Sequence, residues 1–575
     1  MLQSISKFNV WIWGAFFIVF LWSFAIYDAN FRGPDEPIYF AYTASLVEDG
    51  DLNVVNHYPS SNKIGVSATY NFPDFHNHGG VIAWALFYTY AKTAYNIFKQ
   101  LNLPITKQYS INQPILCTLS LSTVIFGFLT LLLTYIFSRL FFSKSIAFFS
   151  SIAVFFGTPF FYYMLFQPAN ANILAAFFSI LSLWFCIFAV RMKKHHWFFY
   201  GVFFSICIVI KADLWFQAFF ILITFLFLSI NKRISWRVGA YFMLGLILGV
   251  LLKTINDYIK YGIFRIGELG LFNGRDYFLW DQLFSSYRGY LYTSPILYIC
   301  FLGFLLLSIN ILKQIKNKDF LKAEPDIFLL ILSLYIIIKI IFLGCGYAWG
   351  GGTAGARHLL TEFPVFVLLF ARFFNGQKKL LKYIFFFVSF LLIIWNLIIV
   401  SEFVAGVDLR YMVAAPALLT RIKMLGHIFP LLGVPKDVKL KFIYSLPIIF
   451  TAIGTVLYLF SKNPKIAYSL SWGPARQADA RWLSFLMALT VYALSAYSII
   501  TVLNVYNNPR KVARLKAEGL LNMATIINPS DFERLENIGS MNEMIAYFQA
   551  KGDTRRVNKI KIYKNQLYGG MDNVR

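Results

Sequence analysis

Gly33-Pro34-Asp35-Glu36-Pro37 places two adjacent carboxylates between prolines, a few residues beyond the first long apolar run of the chain. Proline fixes φ and removes a backbone donor, so Asp35 and Glu36 are expected on a stiffened turn against a bilayer surface. Carboxylates held there can act as a general base or ligate a cation. Tyr39, Tyr42 and Glu48-Asp49-Gly50-Asp51 follow. The second candidate is the glycine-rich stretch Gly346-Tyr347-Ala348-Trp349-Gly350-Gly351-Gly352-Thr353-Ala354-Gly355, which leads into Ala356-Arg357-His358. Glycines let backbone amides approach an anion, and Arg357 with His358 adds charge at the start of the next helix. A tight re-entrant turn is the plainer reading of the same glycines.

Other charges interrupt apolar sequence. Lys211 and Asp213 divide a double apolar run, Lys339 lies in the outer third of its helix, and Arg275, Asp276, Asp281 and Arg288 line the segment 258–289. Lys339 can either snorkel to the interface or bind phosphate, and Lys211 with Asp213 can be a simple pair at a helical turn. His57, His76 and His78 with Asp74 have the spacing of a loop, and no metal site is expected from them. No Walker loop, dinucleotide fingerprint or GxSxG elbow is present, which leaves ATP-driven, nicotinamide and serine-hydrolase chemistry without a motif.

The elements that must position these residues are helices in lipid. The chain is 58% hydrophobic and 14% charged, with mean hydropathy +0.61, against roughly 25% charged residues in soluble chains. Runs such as Ile327 to Leu343 and Tyr383 to Val400 are long and nearly free of charge, and about 20 such residues cross a hydrocarbon core. Backbone groups in lipid must be satisfied internally, and the apolar/polar alternation of a barrel is missing, so the expected fold is an all-α polytopic bundle of about 13 transmembrane helices.

The net charge of +25 falls largely in short links, Arg191 to Lys194, Lys232-Arg233, Lys313 to Lys318 and Lys378-Lys379, at every second connection. That is the signature of cytoplasmic loops rather than of nucleic-acid binding. The run Val10 to Tyr27 lacks a small-residue cleavage site and reads as a retained first helix. It delivers a long outer loop, 28–113, in which Gly80 to Leu101 reads as an interfacial amphipathic helix anchored by Trp84, Tyr88 and Tyr90.

Further spans are expected at 114–138, 145–164, 171–190, 197–211, 214–231, 238–257, 290–312, 327–345, 359–373, 383–405, 441–461 and 482–504. Residues 1–504 form the membrane domain and 505–575 a small extramembrane tail. Ser530-Asp531-Phe532-Glu533 opens a helix-like stretch in that tail, and Val557 to Tyr563 alternates like a strand. The tail is placed outside, although Arg510, Lys511, Arg514 and Lys516 would suit the cytoplasm. The five cysteines, Cys117, Cys186, Cys207, Cys300 and Cys345, read as packing residues.

Pro34-Asp35-Glu36-Pro37-Ile38-Tyr39 and its continuation Leu46 to Asp51 resemble the GT-C membrane glycosyltransferases, near the protein O-mannosyltransferases and the lipid A aminoarabinose transferases. Gly157-Thr158-Pro159-Phe160-Phe161-Tyr162-Tyr163, Tyr287-Arg288-Gly289-Tyr290 with Thr293-Ser294-Pro295, and Trp349 to His358 are similar in order and topology. The lysine-proline-proline element of the aminoarabinose branch is absent, and Phe75-His76-Asn77-His78-Gly79 stands near its place.

The resemblance implies an integral protein of the cytoplasmic (inner) membrane with its active site facing the periplasm or exterior. It would move a sugar from a polyprenyl-phosphate donor to a cell-envelope lipid, glycan or protein, with inversion. Asp35, beside Glu36, would be the general base, and Arg288, Arg357, His358 and Lys211 would bind the donor phosphate. Membrane lipids are the other expected partners. No cofactor is required by the sequence, and a divalent metal is left open without being expected. The alternative is a transporter or flippase of a lipid-linked sugar, although no internal repeat or inverted pair of broken helices is found.

Overall fold

A computed structural model describes residues 7–29, 35–50, 57, 79–167, 169–189, 196–211, 214–230, 235–261, 279–285, 289–317, 320–344, 357–404, 443–444, 448, 549–550, 552, 554 and 557–558. In chain order the helices are α1 (Lys7–Ile26), α2 (Asp35–Glu48), α3 (Gly79–Gln100), α4 (Pro104–Gln108), α5 (Asn112–Ser138), α6 (Lys144–Gly157), α7 (Phe160–Leu165) and α8 (Ala171–Ala189). There follow α9 (His196–Ile210), α10 (Trp215–Ile230), α11 (Trp236–Tyr261), α12 (Leu279–Phe284), α13 (Tyr290–Thr293), α14 (Leu297–Lys316) and α15 (Phe320–Gly344). A 3₁₀ turn (Arg357–Glu362) then leads into α16 (Phe363–Asn375) and α17 (Lys379–Val404). No strand occurs among the described residues.

Five of these segments are long and apolar enough to cross a membrane: Asn112–Ser138, Leu297–Gln314, Asp326–Gly344, Arg357–Asn375 and Lys379–Ser401. Shorter apolar helices accompany them. The outward faces are apolar as well. On α17, Leu380, Tyr383, Ile384, Phe387, Phe390 and Leu391 form an exposed stripe at helical spacing. Exposed Tyr298, Leu302, Leu305, Ile309 and Leu312 do the same on α14. Water would not tolerate so much contiguous apolar surface, and hydrocarbon does. The segments Arg357–Asn375 and Asn112–Ser138 are 83% and 72% buried and Lys379–Ser401 only 33%, so α16 and α5 lie inside the bundle and α17 at its rim.

Side-chain registers fix the direction of each helix. Along α1 and α5, Phe16 meets Tyr135, Phe20 meets Phe128, and Tyr27 Oη donates to the Cys117 carbonyl at 3.2 Å. The two are therefore antiparallel, and the segment from 28 to the start of α5 leaves and returns at one end of the bundle, here called the upper end. In α8, Trp184 Nε1 donates to the Leu133 carbonyl while the Ala169 N–H, just before the helix, is held by Thr123 Oγ1, so α8 runs parallel to α5. Tyr200 Oη donates to the Ser182 carbonyl and Lys211 reaches Asn172, which brings α9 back up. Phe225 against Trp197 sends α10 down again. The alternation inferred from charge is thereby followed through α17, where Phe386 stacks on Phe149 and Phe403 meets Tyr162.

The tightest pair is α9 with α11. A Cβ on Gly201 would strike the Phe242 carbonyl oxygen, and one on Gly245 the Phe198 carbonyl oxygen. Small residues let two backbones touch where lipid supplies no hydrophobic drive between helices.

Several expectations change in detail. The predicted span 145–164 is two helices, broken at Thr158-Pro159, and 290–312 is broken at Ser294, because a proline cannot continue the hydrogen-bond ladder. The span predicted at 359–373 opens as a 3₁₀ turn, with Pro364 at the start of α16. Trp84 and Tyr88 are not lipid anchors: both are buried, packed on Tyr39 and Phe40 of α2, and the exposed apolar residues of α3 are Leu86 and Ile97. Val557 and Asn558 are helical rather than extended. Apart from 443–444 and 448, the spans predicted at 441–461 and 482–504 and nearly all of the tail lie outside the described residues. Cys117, Cys186, Cys207 and Cys300 are buried free thiols, as packing residues should be, and Cys345 lies outside the described residues.

Both breaks are held by α17. Asn396 Nδ2 donates to the carbonyls of Phe156 (2.8 Å) and Thr158 (3.1 Å), and Trp395 Nε1 donates to the Tyr292 carbonyl (2.8 Å). Carbonyls freed by a broken helix have no water to turn to, so a neighbouring side chain must answer them. Asn396→Leu is expected to lower stability by about 2 kcal/mol through those two unanswered acceptors. Thermal unfolding of the detergent-purified protein measures this, and an unchanged Tm would show that the break does not depend on Asn396.

Candidate functional site

The upper end gathers the start of α2, the start of α3, the α7–α8 link, the end of α9 and the 3₁₀ turn. Asp35 and Glu36 do not sit on a free turn, as the flanking prolines suggested. They form the first turn of α2, with Pro37 beside them. A first turn tolerates proline because its N–H groups have no intrahelical acceptor, and its positive dipole end favours carboxylates. Glu36 is fully buried.

At its other end α2 is tied to α3. Glu48 Oε1 accepts from Tyr88 Oη (2.7 Å) and from Lys92 Nζ (2.9 Å), and His57 Nε2 lies 2.7 Å from Asp49 Oδ2. Burial pushes the Glu48 carboxyl up, but the hydrogen bonds from Lys92 and Tyr88 and the Lys92 charge outweigh it and hold the group below its ordinary 4.5. Burial and the bond to Glu48 push the Tyr88 phenol far above its usual range. His57 is thus engaged by the acidic end of α2. His76, His78 and Asp74 lie outside the described residues, among which no group of three His, Cys, Asp or Glu could hold a metal ion.

From α3 the path leads to the first cation. The start of α3 presses on the end of α9 so closely that a Cβ on Gly79 would lie 2.6 Å from the Ile210 nitrogen. The next residue is Lys211, half-buried, whose ammonium donates to Asn172 Oδ1 in the first turn of α8. Asp213, its suggested partner, lies outside the described residues. The 3₁₀ turn bearing Arg357 and His358, both half-buried, packs along the same α8. Lys211 and the turn bearing Arg357 and His358 therefore pack on one helix, α8, to which α2 is connected through α3 and α9. Arg288, Arg275, Asp276 and the glycine-rich stretch 346–355 lie outside the described residues, and Asp281 is exposed on α12.

Lys339 does not snorkel to the interface; its ammonium pairs with a carboxylate of the protein itself. It is wholly buried, and its Nζ lies 2.9 Å from both Glu362 Oε1 and Thr361 Oγ1. Tyr335 Oη and Thr361 Oγ1 also donate to the Glu362 carboxylate. Two charges removed from water are tolerable only when paired and hydrogen-bonded, and these are both. Their effect is mechanical: α15 grips the last residues of the 3₁₀ turn that carries Arg357 and His358. A glutamate inside an apolar run was the signal for this pair, and sequence reading passed over it.

The motifs at 157–163 and 293–295 converge on the residues that follow His358. Thr158, Pro159, Ser294, Leu359, Leu360 and Phe363 line one small cleft. Ser294 is fully buried, and its Oγ finds no hydrogen-bond partner among the described residues. Comparison of the chain with protein-family models, with curated proteins and with solved structures finds no match.

Two outcomes follow from these geometries. Lys339→Met, which strands a buried carboxylate, is expected to cost about 3–5 kcal/mol, and the double change Lys339→Met/Glu362→Leu to recover most of it. Thermal unfolding of the three proteins decides this, and equal losses in single and double variants would contradict the pairing. For Glu48, a pKa depressed on folding means stability that is present above the unfolded value and lost as pH falls through the folded one. The stability gap between wild type and Glu48→Gln should therefore be full at pH 7 and close as the pH drops below 4.5. A gap independent of pH would show that the carboxylate's charge is not what ties α2 to α3.

Proposed function

We propose that this chain is a glycosyltransferase of GT-C type, taking a sugar from a polyprenyl-phosphate donor at the non-cytoplasmic face of the cytoplasmic membrane. The observation that supports the reading is the gathering, at one end of an apolar bundle, of the helix that opens with Asp35 and Glu36, of Lys211, and of the turn bearing Arg357 and His358.

In this reading Asp35 takes the proton of an acceptor hydroxyl as its oxygen attacks the anomeric carbon. The bond between that carbon and the phosphate oxygen breaks, and the electron pair leaves with the lipid phosphate. Lys211, Arg357, His358 and Arg288 supply positive charge where the anion develops. A phosphate monoester leaves without protonation, so one carboxylate is enough, and a single displacement inverts the anomeric centre. The exposed apolar faces of the rim helices leave the donor's tail in the bilayer throughout, so only the head group has to enter the protein. The acceptor is a lipid, glycan or protein of the cell envelope.

Asp35→Asn is the test. In membranes supplied with a lipid-linked sugar, transfer is expected to fall by about 10²–10⁴-fold, the usual contribution of a general base. Transfer at the wild-type rate would reject the assignment. Movement of sugar across sealed vesicles with no release of polyprenyl phosphate would favour a transporter instead.

A further inference from the structure

The α7–α8 link carries polar groups whose hydrogen bonds run in one direction and then stop. Lys211 Nζ donates to Asn172 Oδ1, and Asn172 Nδ2 donates to Asn170 Oδ1. Asn170 Oδ1 also accepts the Asn172 N–H at 2.8 Å and so caps α8. An ammonium can only donate, which fixes the Asn172 amide with its oxygen toward Lys211 and its NH₂ toward Asn170. Asn170 must then turn its oxygen to both of these donors, and its own NH₂ points elsewhere. That Nδ2 has no partner among the described residues, although Asn170 is 2% exposed. Three residues earlier Gln167 is fully buried, and neither its Nε2 nor its Oε1 has a partner among the described residues.

Buried amides left in this state cost stability, and native structures rarely keep them without a use. The chemistry of the three unanswered atoms identifies what suits them. Asn170 Nδ2 and Gln167 Nε2 need acceptors, whereas Gln167 Oε1 needs a donor. Phosphate oxygens accept only and would leave Gln167 Oε1 unanswered. A hydroxyl does both, and neighbouring hydroxyls on one ring answer a donor and an acceptor on one amide.

We propose that the α7–α8 link is the subsite for the hydroxyl-bearing head group of the donor, with Gln167 and Asn170 as its recognition residues and Lys211 marking the side of the phosphate. This deepens the glycosyl-transfer reading and rests on it.

The experiment uses the full chain in nanodiscs and two probes: undecaprenyl phosphate, and the same lipid carrying glucose, galactose or mannose. Wild type is expected to prefer one glycosylated lipid to the bare one. Gln167→Leu, which removes the unanswered amide, should weaken binding of that lipid about tenfold to a hundredfold, the worth of a buried hydrogen bond or two, and leave the bare lipid phosphate unaffected. Asn170→Ser keeps a capping oxygen for α8 and removes the NH₂, and it should show the same selective loss if the leucine variant does not fold. Unchanged affinity of both variants for the glycosylated lipid would overturn the subsite and assign these atoms to ordered water. The transfer reading would still stand if Asp35→Asn alone abolished turnover. Wild type that shows no preference for any glycosylated lipid, and transfers none, would remove the subsite and the transfer reading together.

Discussion

Inside hydrocarbon a backbone group that loses its helical partner must find another within the protein, and that requirement decides where this bundle can be irregular. The breaks at Thr158-Pro159 and at Ser294 face the same end, and Asn396 and Trp395, adjacent on one helix, answer carbonyls on both. The α7–α8 link is held in the same way, through the Ala169 N–H on Thr123 Oγ1 and the Leu165 carbonyl accepting the Asp28 N–H at 2.8 Å. These three departures from helix are thus anchored by long-range bonds to other parts of the bundle. An irregular end fixed in this manner can hold side chains at set positions, which free loops do not.

At the other end of the bundle the described residues carry Arg139, Lys144, Lys313, Lys316, Lys378, Lys379 and Lys382. Arg372 pairs with Asp326 at 3.1 Å, and Phe141 stacks on Phe328, both of which staple neighbouring helix ends. Positive charge here lies at the links between helices and in pairs that close the bundle. Positive charge at the upper end is placed differently: Lys211 on an asparagine amide, Lys339 on a buried glutamate. The net charge of +25 therefore conceals two populations of cation with different physical roles.

Helical class, the alternation of directions and the upper placement of α2 and α3 were legible because they depend on hydropathy and on the spacing of Lys and Arg, both one-dimensional. Asp35, Lys211 and Arg357 stood out as candidates because charge beside an apolar run is conspicuous. The broken spans were harder: Pro159 and Pro295 sit in sequence apolar enough to read as continuous helix. The burial of Trp84 and Tyr88 depends on α2, so no periodicity within α3 could reveal it. The close approach of Gly201 and Gly245, and the role of Asn396 some 240 positions from its acceptor, are pairings across the chain that no local pattern encodes. Lys339 was misread for the same reason, since its partner lies a loop away.

Two buried polar networks at the upper end can be told apart by their valence. Around Glu362 three donors, from Tyr335, Lys339 and Thr361, meet one carboxylate, and Lys339 is held by Glu362 and Thr361 together. A network saturated in this way rigidifies what it touches and has little capacity for a ligand. Around Asn170 the direction of donation is equally fixed, but it ends on an NH₂ group with Gln167 close by in the chain. Burial cost is comparable in kind for both, yet only the second leaves hydrogen-bonding capacity unspent. The saturated network holds the turn of Arg357 and His358 from below, and that turn packs on the helix whose first turn carries the unsaturated one. A turn held rigid thus packs on the helix that opens with unspent hydrogen-bonding capacity, and under the proposed reading that pairing would hold a head group still while chemistry occurs at its edge.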